Sequence, residues 1–181
     1  MSEILDRVRQ IWKTREVQRL ASFSRIRSYN LAEHGYTTVN LFYILCKKEK
    51  LPVDMDDMII VLNHDLLETR TGDLLWSAKN FNEATKQLWA KIEEEVTSRE
   101  DFYLRSFMDS AIKKRFSGEK ESLLQMFLDC DLFDLMLFCS REVLISPDLK
   151  IVLENCYRLL RDSPFESVRN LVKEIINGTT L

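Results

Sequence analysis

The stretch LNHDLLETRTGDLL, residues 62–75, interrupts a hydrophobic helical pattern with one histidine and three carboxylates. On a helix, His64 and Glu68 would project from one face with Asp65 beside them, because positions four apart are neighbours. Burying an imidazole and two carboxylates together costs several kcal/mol unless hydrogen bonds or a cation compensate. A divalent metal ion is the simplest explanation of this pattern.

The rest of the chain has the composition of a helical protein. Of 181 residues, 45% are hydrophobic and 30% are charged, but only four are glycine and three are proline. Many turns between strands would need more of these breakers, so we expect one all-α domain over residues 1–181, built as a helical bundle. The expected helices cover residues 2–18, 31–50, 81–98, 101–115, 119–143, 148–161 and 164–177. A further expected helix begins after residue 50, where Asp54 caps it, and it carries His64, Asp65 and Glu68. A loop is expected over residues 69–79. The segment 119–143 is the most hydrophobic and should run through the centre.

Charge and hydropathy exclude several classes of partner. The net charge is −3, and the scattered Lys and Arg residues offer no broad cationic face for a nucleic acid polymer. No apolar run approaches the ~18 residues that a membrane span needs, and the N-terminus lacks a secretory cleavage site, so we expect a cytoplasmic protein. The four cysteines show no CxxC spacing and are expected to be reduced packing residues. The charge runs 93–95 and 113–115 are expected to be solvated helix faces.

The only other histidine, His34, stands in NLAEHGY, at the start of a different expected helix. A lone histidine is most often a structural imidazole. Here both histidines of the chain lie near helix ends that can converge, which favours a shared site.

With both histidines in these motifs, the chain resembles the HD-domain phosphohydrolases, and within them the bacterial 5′-deoxynucleotidase-like branch, which is related to viral dATP triphosphohydrolases. The matching motifs are AEH at 32–34, NHDLLET at 63–69, TGDL at 71–74, Lys79 with the following NFN, and CDLFD at 130–134. They span the chain from about Arg19 to about Cys139. The resemblance implies an HD-domain helical bundle and the hydrolysis of nucleotide phosphate esters.

The resemblance also implies a metal site formed by His34, His64, Asp65 and Asp131. Asp131 is preferred over Asp129 and Asp134 because the distal aspartate of the family stands between a small residue and a leucine, and Cys130-Asp131-Leu132 fits this pattern. Two imidazoles and two carboxylates leave two positions open in an octahedral shell, which suits Mn, Co, Fe, Ni or Mg, with Zn also possible.

Further roles follow from the same resemblance. Glu68 would orient or deprotonate the attacking water, and Asp73 would be a second acid/base group, although the division of work between them stays open. Arg19 and Lys79 would bind the phosphate. The chain departs from the family where a tryptophan usually crowds the sugar: it has Leu20 there, and Trp76 could refill that space or anchor the core.

Three functions stay open from the sequence. The first is removal of the 5′-phosphate from (deoxy)nucleoside monophosphates; the second is a deoxynucleoside triphosphate triphosphohydrolase, which Arg25, Arg27 or Arg70 near the site would favour; the third is a nucleotide-binding protein without turnover. We expect a homo-oligomer, at least a dimer. Its interface could use Val152, Leu153, Phe165 and Val168, although these residues could equally cap the core.

Overall fold

The computed structural model describes residues 3–74, 76–79, 81–98 and 105–178, and these residues form helices and loops without a named β-strand. Gln18 and Asn30 pair as an isolated antiparallel bridge. The helices are α1 (Glu3–Lys13), α2 (Leu31–Lys48), α3 (Met55–Leu62), α4 (Glu68–Thr71), α5 (Trp76–Lys79), α6 (Glu83–Ser98), α7 (Asp109–Arg115), α8 (Glu121–Glu142), α9 (Lys150–Leu160) and α10 (Glu166–Gly178), with 3-10 turns at Gly118–Lys120 and Pro147–Leu149. Among the helices of the described residues, none is both long and apolar enough to cross a membrane.

Two capping boxes fix the starts of the helices that lead into the site. Asn30 accepts a hydrogen bond from the Glu33 backbone N–H, and the Glu33 side chain accepts one from the backbone N–H of Asn30. Asp54 and Asp57 form the same reciprocal pair at the start of α3. Each box satisfies N–H groups that the first turn of a helix leaves unpaired. The predicted cap at Asp54 is thereby confirmed.

The hydrophobic helix α8 lies at the centre of the bundle, as its composition predicts. It packs against α2, α9 and α10 and against both 3-10 turns. Buried α8 residues meet buried residues of α2 in one core cluster, among them Met126, Cys130, Phe42 and Leu45. Helix α2 in turn packs against α3. The three segments that carry the predicted metal ligands are therefore held together by one core.

Close contact between α2 and α3 depends on Gly35. A Cβ atom built on this residue would lie 2.5 Å from the carbonyl oxygen of Leu62, well inside van der Waals contact. Because Gly35 follows His34 and Leu62 precedes His64 by two residues, this crossing brings the two histidines together.

Several helix boundaries differ from the expectation. Helix α1 ends at Lys13 instead of residue 18, and the chain then forms a loop, in which the Arg19 N–H donates to the Tyr29 carbonyl at 2.7 Å. Helix α3 ends at Leu62, so His64 and Asp65 lie on a turn after the helix. The backbone tightens there to bonds three residues apart, such as Glu68 N–H to the Asp65 carbonyl, which is the 3-10 pattern.

The segment 69–79 is only partly the loop that the sequence predicts, because α4 and α5 lie in or overlap it. Of the expected helix 101–115, α7 covers the part from Asp109, and residues 99–104 lie outside the described part. All four cysteines are buried and free, as expected.

The apolar residues proposed for an interface pack against the core. Val168 is fully buried, and Val152, Leu153 and Phe165 are partly buried against the main cluster. They therefore cap the core, and the homo-oligomer stays a prediction.

Candidate metal centre and catalytic pocket

Three side chains from segments far apart in sequence converge on one point. His34 comes from the first turn of α2, His64 from the turn after α3 and Asp131 from the middle of α8. One ligand atom of each lies within 4.8 Å of the others. The His34 Nε2 atom is 3.0 Å and the His64 Nε2 atom 3.7 Å from Asp131 Oδ1.

The far side of each imidazole has its own acceptor. His64 Nδ1 lies 2.7 Å from the carbonyl oxygen of Val61, and His34 Nδ1 lies 2.7 Å from Asp134 Oδ2. A carbonyl or carboxylate oxygen accepts, so each Nδ1 carries a proton, and in the neutral ring that binds a metal each Nε2 presents a lone pair. The two Nε2 atoms are 3.1 Å apart.

This arrangement fits a bound cation. When both rings are neutral with the proton on Nδ1, the two Nε2 atoms and Asp131 Oδ1 are three acceptors that face one another. Asp131 Oδ1 is buried and has no hydrogen bond of acceptable geometry within the described residues. Buried acceptors without donors are costly, and a divalent ion bound by two imidazoles and a carboxylate removes that cost.

Asp65 lies beside this group but is held by a different partner. Its carboxylate oxygens are 3.4 Å from His64 Nε2 and 3.5 Å from His34 Nε2. Arg19 donates to Asp65 Oδ2 at 3.0 Å, and the same guanidinium nitrogen is 3.7 Å from Asp131 Oδ1. Arg19 therefore borders the centre between its two carboxylates.

The local field is strongly negative at the imidazoles. Burial opposes a charge on His64, yet the carboxylates of Asp65 and Asp131 outweigh it and raise its pKa to about 9. Burial also opposes the charge on Asp131, but the two histidines and Arg19 lower its pKa well below the usual value. A pocket in which carboxylates stay ionised favours a bound cation.

Glu68 and Lys79 form a close ion pair next to the centre. Lys79 Nζ donates to Glu68 Oε1 at 2.7 Å, while Glu68 Oε2 is buried without a hydrogen-bond partner in the described part of the chain. Burial, together with the nearby Asp65, raises the pKa of Glu68 to about 8 although Lys79 lowers it. Lys79, expected to bind phosphate, thus also positions the predicted water-activating carboxylate.

Asp73 is held by the backbone of Leu20, whose N–H donates to Asp73 Oδ2 at 2.9 Å. Leu20 has a φ of 53°, a left-handed conformation that is uncommon outside glycine. Its side chain is buried in a small cluster with Tyr29 and Cys139, and it also lines the pocket. This turn lets consecutive residues reach two parts of the site, with Arg19 at the carboxylates and Leu20 at Asp73.

One cavity of about 1020 Å³ is lined by most of these site residues, namely Arg19, Leu20, His64, Asp65, Glu68, Asp73, Lys79 and Asp131. Arg25, Arg27 and Arg70 are not part of its wall: Arg25 binds Gln18 Oε1, and Arg27 pairs with the buried Glu142. The side chain of Trp76, predicted to refill the sugar wall, lies outside the described part of the structure.

The wall opposite the metal centre comes from α6 and the segment 105–113, and its charged residues are Lys86, Glu93, Glu94, Arg105 and Lys113. Glu93, Glu94 and Lys113 of the two charge runs therefore line the cavity, and Glu94 and Lys113 are also exposed, as expected for solvated helix faces.

Sequence reasoning missed two residues behind the centre. Asp134 accepts from the Tyr29 hydroxyl at 2.7 Å as well as from His34. The Tyr29 ring stacks on Phe138 with centroids 4.3 Å apart, and the Arg19 guanidinium carbon is 5.5 Å from its centroid. The available signal was the three-residue spacing of Asp131 and Asp134, which places both on one face of α8.

Comparisons with known proteins agree with this picture. A family model described as 5′-deoxynucleotidase YfbR-like matches residues 8–178. Among curated proteins, none matches the chain significantly.

Three solved structures with the same fold share 13–18% of their residues with this chain. The HD phosphohydrolase DatZ of cyanophage S-2L, solved with dA and one catalytic Zn²⁺ ion, has 18% identity and a TM-score of 0.61, covering 95% of this chain and 93% of DatZ. An HD-domain phosphohydrolase of Listeria innocua has 18% identity and a TM-score of 0.73, with coverages of 97% and 89%. The PH0347 protein of Pyrococcus horikoshii has 13% identity and a TM-score of 0.70, with coverages of 94% and 97%. The predicted all-α HD-domain fold is thereby confirmed.

Proposed function

Since the chain belongs to the family of YfbR-like 5′-deoxynucleotidases and is therefore a hydrolase of nucleotide phosphate esters, we propose that it removes the 5′-phosphate from (deoxy)nucleoside monophosphates with the help of one divalent cation. One observation carries the proposal. The Nε2 atoms of His34 and His64 converge on Asp131 Oδ1 while each Nδ1 is committed to another acceptor. The Zn²⁺ ion in DatZ supports the cation.

His34, His64, Asp65 and Asp131 would hold the ion. When bound, a divalent cation polarises a phosphoryl oxygen and acidifies a neighbouring water. Arg19 lies at the edge of this group, and its planar fork suits two oxygens of a phosphate. In this role it would exchange its bond to Asp65 for bonds to the substrate.

Glu68 and Asp73 would orient the attacking water and transfer its proton. The buried Glu68 Oε2 has no hydrogen-bond partner among the described residues, so it can accept from a water molecule while Lys79 fixes the other oxygen at 2.7 Å. Asp73, held by the Leu20 N–H, lies in the same cavity and can accept or return a proton through water.

A deoxynucleoside triphosphate triphosphohydrolase is the second candidate. Arg25 and Arg27, which the sequence offered as its extra cations, have other partners away from the cavity wall. Lys86, Arg105 and Lys113 do line that wall, and this observation keeps the triphosphate reaction in view. We favour the monophosphate because Arg19 and Lys79 already lie beside the centre and suffice for one phosphate.

The test is a screen of the purified protein against ribo- and deoxyribonucleoside mono-, di- and triphosphates with Mn²⁺, Co²⁺, Mg²⁺ and Zn²⁺. We expect inorganic phosphate and nucleoside from monophosphates. Tripolyphosphate and nucleoside from triphosphates, seen by anion-exchange chromatography, would establish the second candidate instead.

An Asp131→Asn variant should abolish metal-dependent release of phosphate, because it removes a charged ligand. The matched control is Asp129→Asn on the same helix, where the aspartate binds Gln125 and Ser163 instead of the imidazoles. Equal activity of the two variants, or no turnover of any nucleotide by the unchanged protein, would contradict the proposal.

A further inference from the structure

The cavity continues from the metal centre to one stripe of α6, on which lie Lys86, Trp89, Ala90 and Glu93. Their spacing of three, four and seven residues places them on one face of the helix. Among these side chains, Trp89 has by far the largest flat surface. It is only partly buried, so part of a large apolar ring stays in contact with solvent inside the pocket.

The indole of Trp89 is tied to the catalytic end of the cavity. Lys79 Nζ lies 5.1 Å from the ring centroid and 2.7 Å from Glu68 Oε1. A single lysine therefore separates the indole from the carboxylate proposed to orient the attacking water. A nucleotide whose phosphate sits at the metal centre has its base about one sugar away, and Trp89 lines the same cavity as that centre.

The ring is also held in place before any ligand binds. The Trp89 Nε1–H donates to Glu93 Oε1 at 2.8 Å, one helical turn further along α6. A side chain that is already positioned loses little conformational freedom when a ligand stacks on it. Covering its exposed apolar surface adds a favourable contribution.

From these contacts we propose that Trp89 forms the nucleobase subsite and that the base of the substrate stacks on its indole. The inference rests on the proposed function, because it takes the nucleotide phosphate to lie at the metal centre. Stacking on an aromatic ring is available to every base and discriminates little between them. The subsite therefore distinguishes nucleotides from sugar phosphates that lack a base, and it tolerates purines and pyrimidines alike.

The test compares kcat/KM for a deoxynucleoside monophosphate with kcat/KM for 2-deoxyribose 5-phosphate, which carries the same phosphate and sugar without a base. In the unchanged protein the nucleotide should be favoured by about tenfold or more, as one stacked base contributes. Trp89→Ala should lose most of this preference through the nucleotide alone and leave the sugar phosphate almost unaffected. Trp89→Phe should keep most of the preference because the smaller ring still stacks.

Trp12→Ala is the matched control. Trp12 lies exposed on α1 beside Arg15 and outside the cavity, so its loss should leave the ratio unchanged. An unchanged ratio of the two kcat/KM values in Trp89→Ala would overturn the inference. An equal loss of kcat/KM on both substrates would also overturn it, because it would trace the effect to Lys79 and Glu68.

A second measurement separates this inference from the proposed function. Deoxynucleosides without phosphate should quench the tryptophan fluorescence of the unchanged protein and of Trp12→Phe, but not that of Trp89→Phe. Quenching through Trp89 without turnover of any monophosphate would support the subsite and contradict the monophosphatase. Turnover of monophosphates together with fluorescence quenching that persists in Trp89→Phe would support the monophosphatase and contradict the subsite.

Discussion

One proton on each imidazole determines what the centre can bind. Asp134 accepts from His34 Nδ1 and thereby turns the Nε2 lone pair toward Asp131. An asparagine at position 134 could present its NH₂ group to the ring and favour the opposite tautomer. The residue behind the ligand therefore helps to determine whether His34 can bind an ion.

We expect Asp134→Asn to weaken the affinity for the divalent ion by about 10- to 100-fold, the usual cost of losing a partner behind a metal-bound histidine. Tyr29→Phe, which removes only the hydroxyl donor to Asp134, should cost less. Competition with a chromophoric chelator measures both affinities. Unchanged affinity in Asp134→Asn would show that His34 does not need this partner.

Glu68→Gln and Asp73→Asn should each lower kcat by about 10²- to 10⁴-fold, as the loss of a general acid or base does. Neither side chain contributes an atom to the cluster of three converging ligands, so the affinity for the ion should change little. Steady-state kinetics combined with the chelator titration separates the two effects. A loss of ion affinity as large as the loss of rate would contradict these roles.

The individual residues of the site differ in how far the sequence could predict them. The motif register selected Asp131 from three nearby aspartates, and the structure brings Asp131 to the imidazoles while Asp129 binds Ser163. The role of Asp134 could not be predicted, because spacing on α8 does not say which nitrogen of His34 it would meet. The positive φ of Leu20 also has no signature in a leucine.

At the scale of helices, the approach of α2 to α3 depends on the missing side chain at Gly35. Gly35→Ala would place a Cβ atom against the Leu62 carbonyl oxygen, 2.5 Å away, and this atom belongs to the backbone and cannot rotate aside. The helices would have to separate, at a cost of about 1–3 kcal/mol for overpacking. His34 and His64 would move apart with them.

We therefore expect Gly35→Ala to lower the free energy of unfolding in urea by that amount and to weaken ion binding. Gly118→Ala is a useful control, because nothing lies within 4 Å of a Cβ atom there although its φ is +66°. It should cost stability through the backbone alone and leave ion binding intact. Normal ion affinity in Gly35→Ala would show that the crossing does not set the spacing of the histidines.

Helix boundaries show why spacing alone was insufficient at this scale. Asp54 marks the start of α3 through a capping pattern that is local in sequence, so it could be recognised. The end of α3 at Leu62 depends on a change to bonds three residues apart after Asn63. The apolar residues expected to form a buried stripe, Met58, Ile59, Leu62 and Leu66, continue past that change and do not reveal it. The burial expected for them is wrong for Ile59 and Leu62, which are exposed, whereas Leu66 is buried.

At the scale of the whole molecule, two carboxylates tie separate elements together and make stability depend on pH. Asp54 receives hydrogen bonds from the Asp57 backbone N–H and from Lys120, which lower its pKa. Ser167, at the start of α10, lowers the pKa of Glu49 just after α2, and its backbone N–H donates to Glu49 Oε1 at 2.9 Å. A folded-state pKa below the unfolded one contributes stability above the unfolded value, about 3.9 for Asp and 4.3 for Glu, and this stability is lost as the pH falls.

We expect the unfolding free energy of the unchanged protein to fall more steeply between pH 5 and pH 2 (about one unit above and two below these values) than that of an Asp54→Asn, Glu49→Gln double variant. Urea titrations at several pH values measure the two slopes. Glu154→Gln, which removes an exposed partner of Lys150, is the control and should keep the slope of the unchanged protein. Equal slopes in the double variant would assign acid sensitivity to other groups.

The order of the helices and the central place of α8 could be predicted because hydrophobic periodicity determines which faces are buried. The cavity could not be predicted from the sequence. Its far wall combines α6 with the segment 105–113, and which face of α6 turns inward depends on packing between elements that the sequence does not pair. Trp89 and Lys113 therefore looked like ordinary helix residues until the fold placed them opposite the metal centre.

The three converging ligands come from α2, the turn after α3, and α8, so under the proposed function an ion would act as a clasp between distant parts of the chain. A ligand that binds only the folded state stabilises it by about 1.4 kcal/mol for each tenfold excess over its Kd. Resistance to heat and proteases would then follow the supply of free metal. In such a protein, scarcity of the ion would shorten its lifetime as well as stop its turnover.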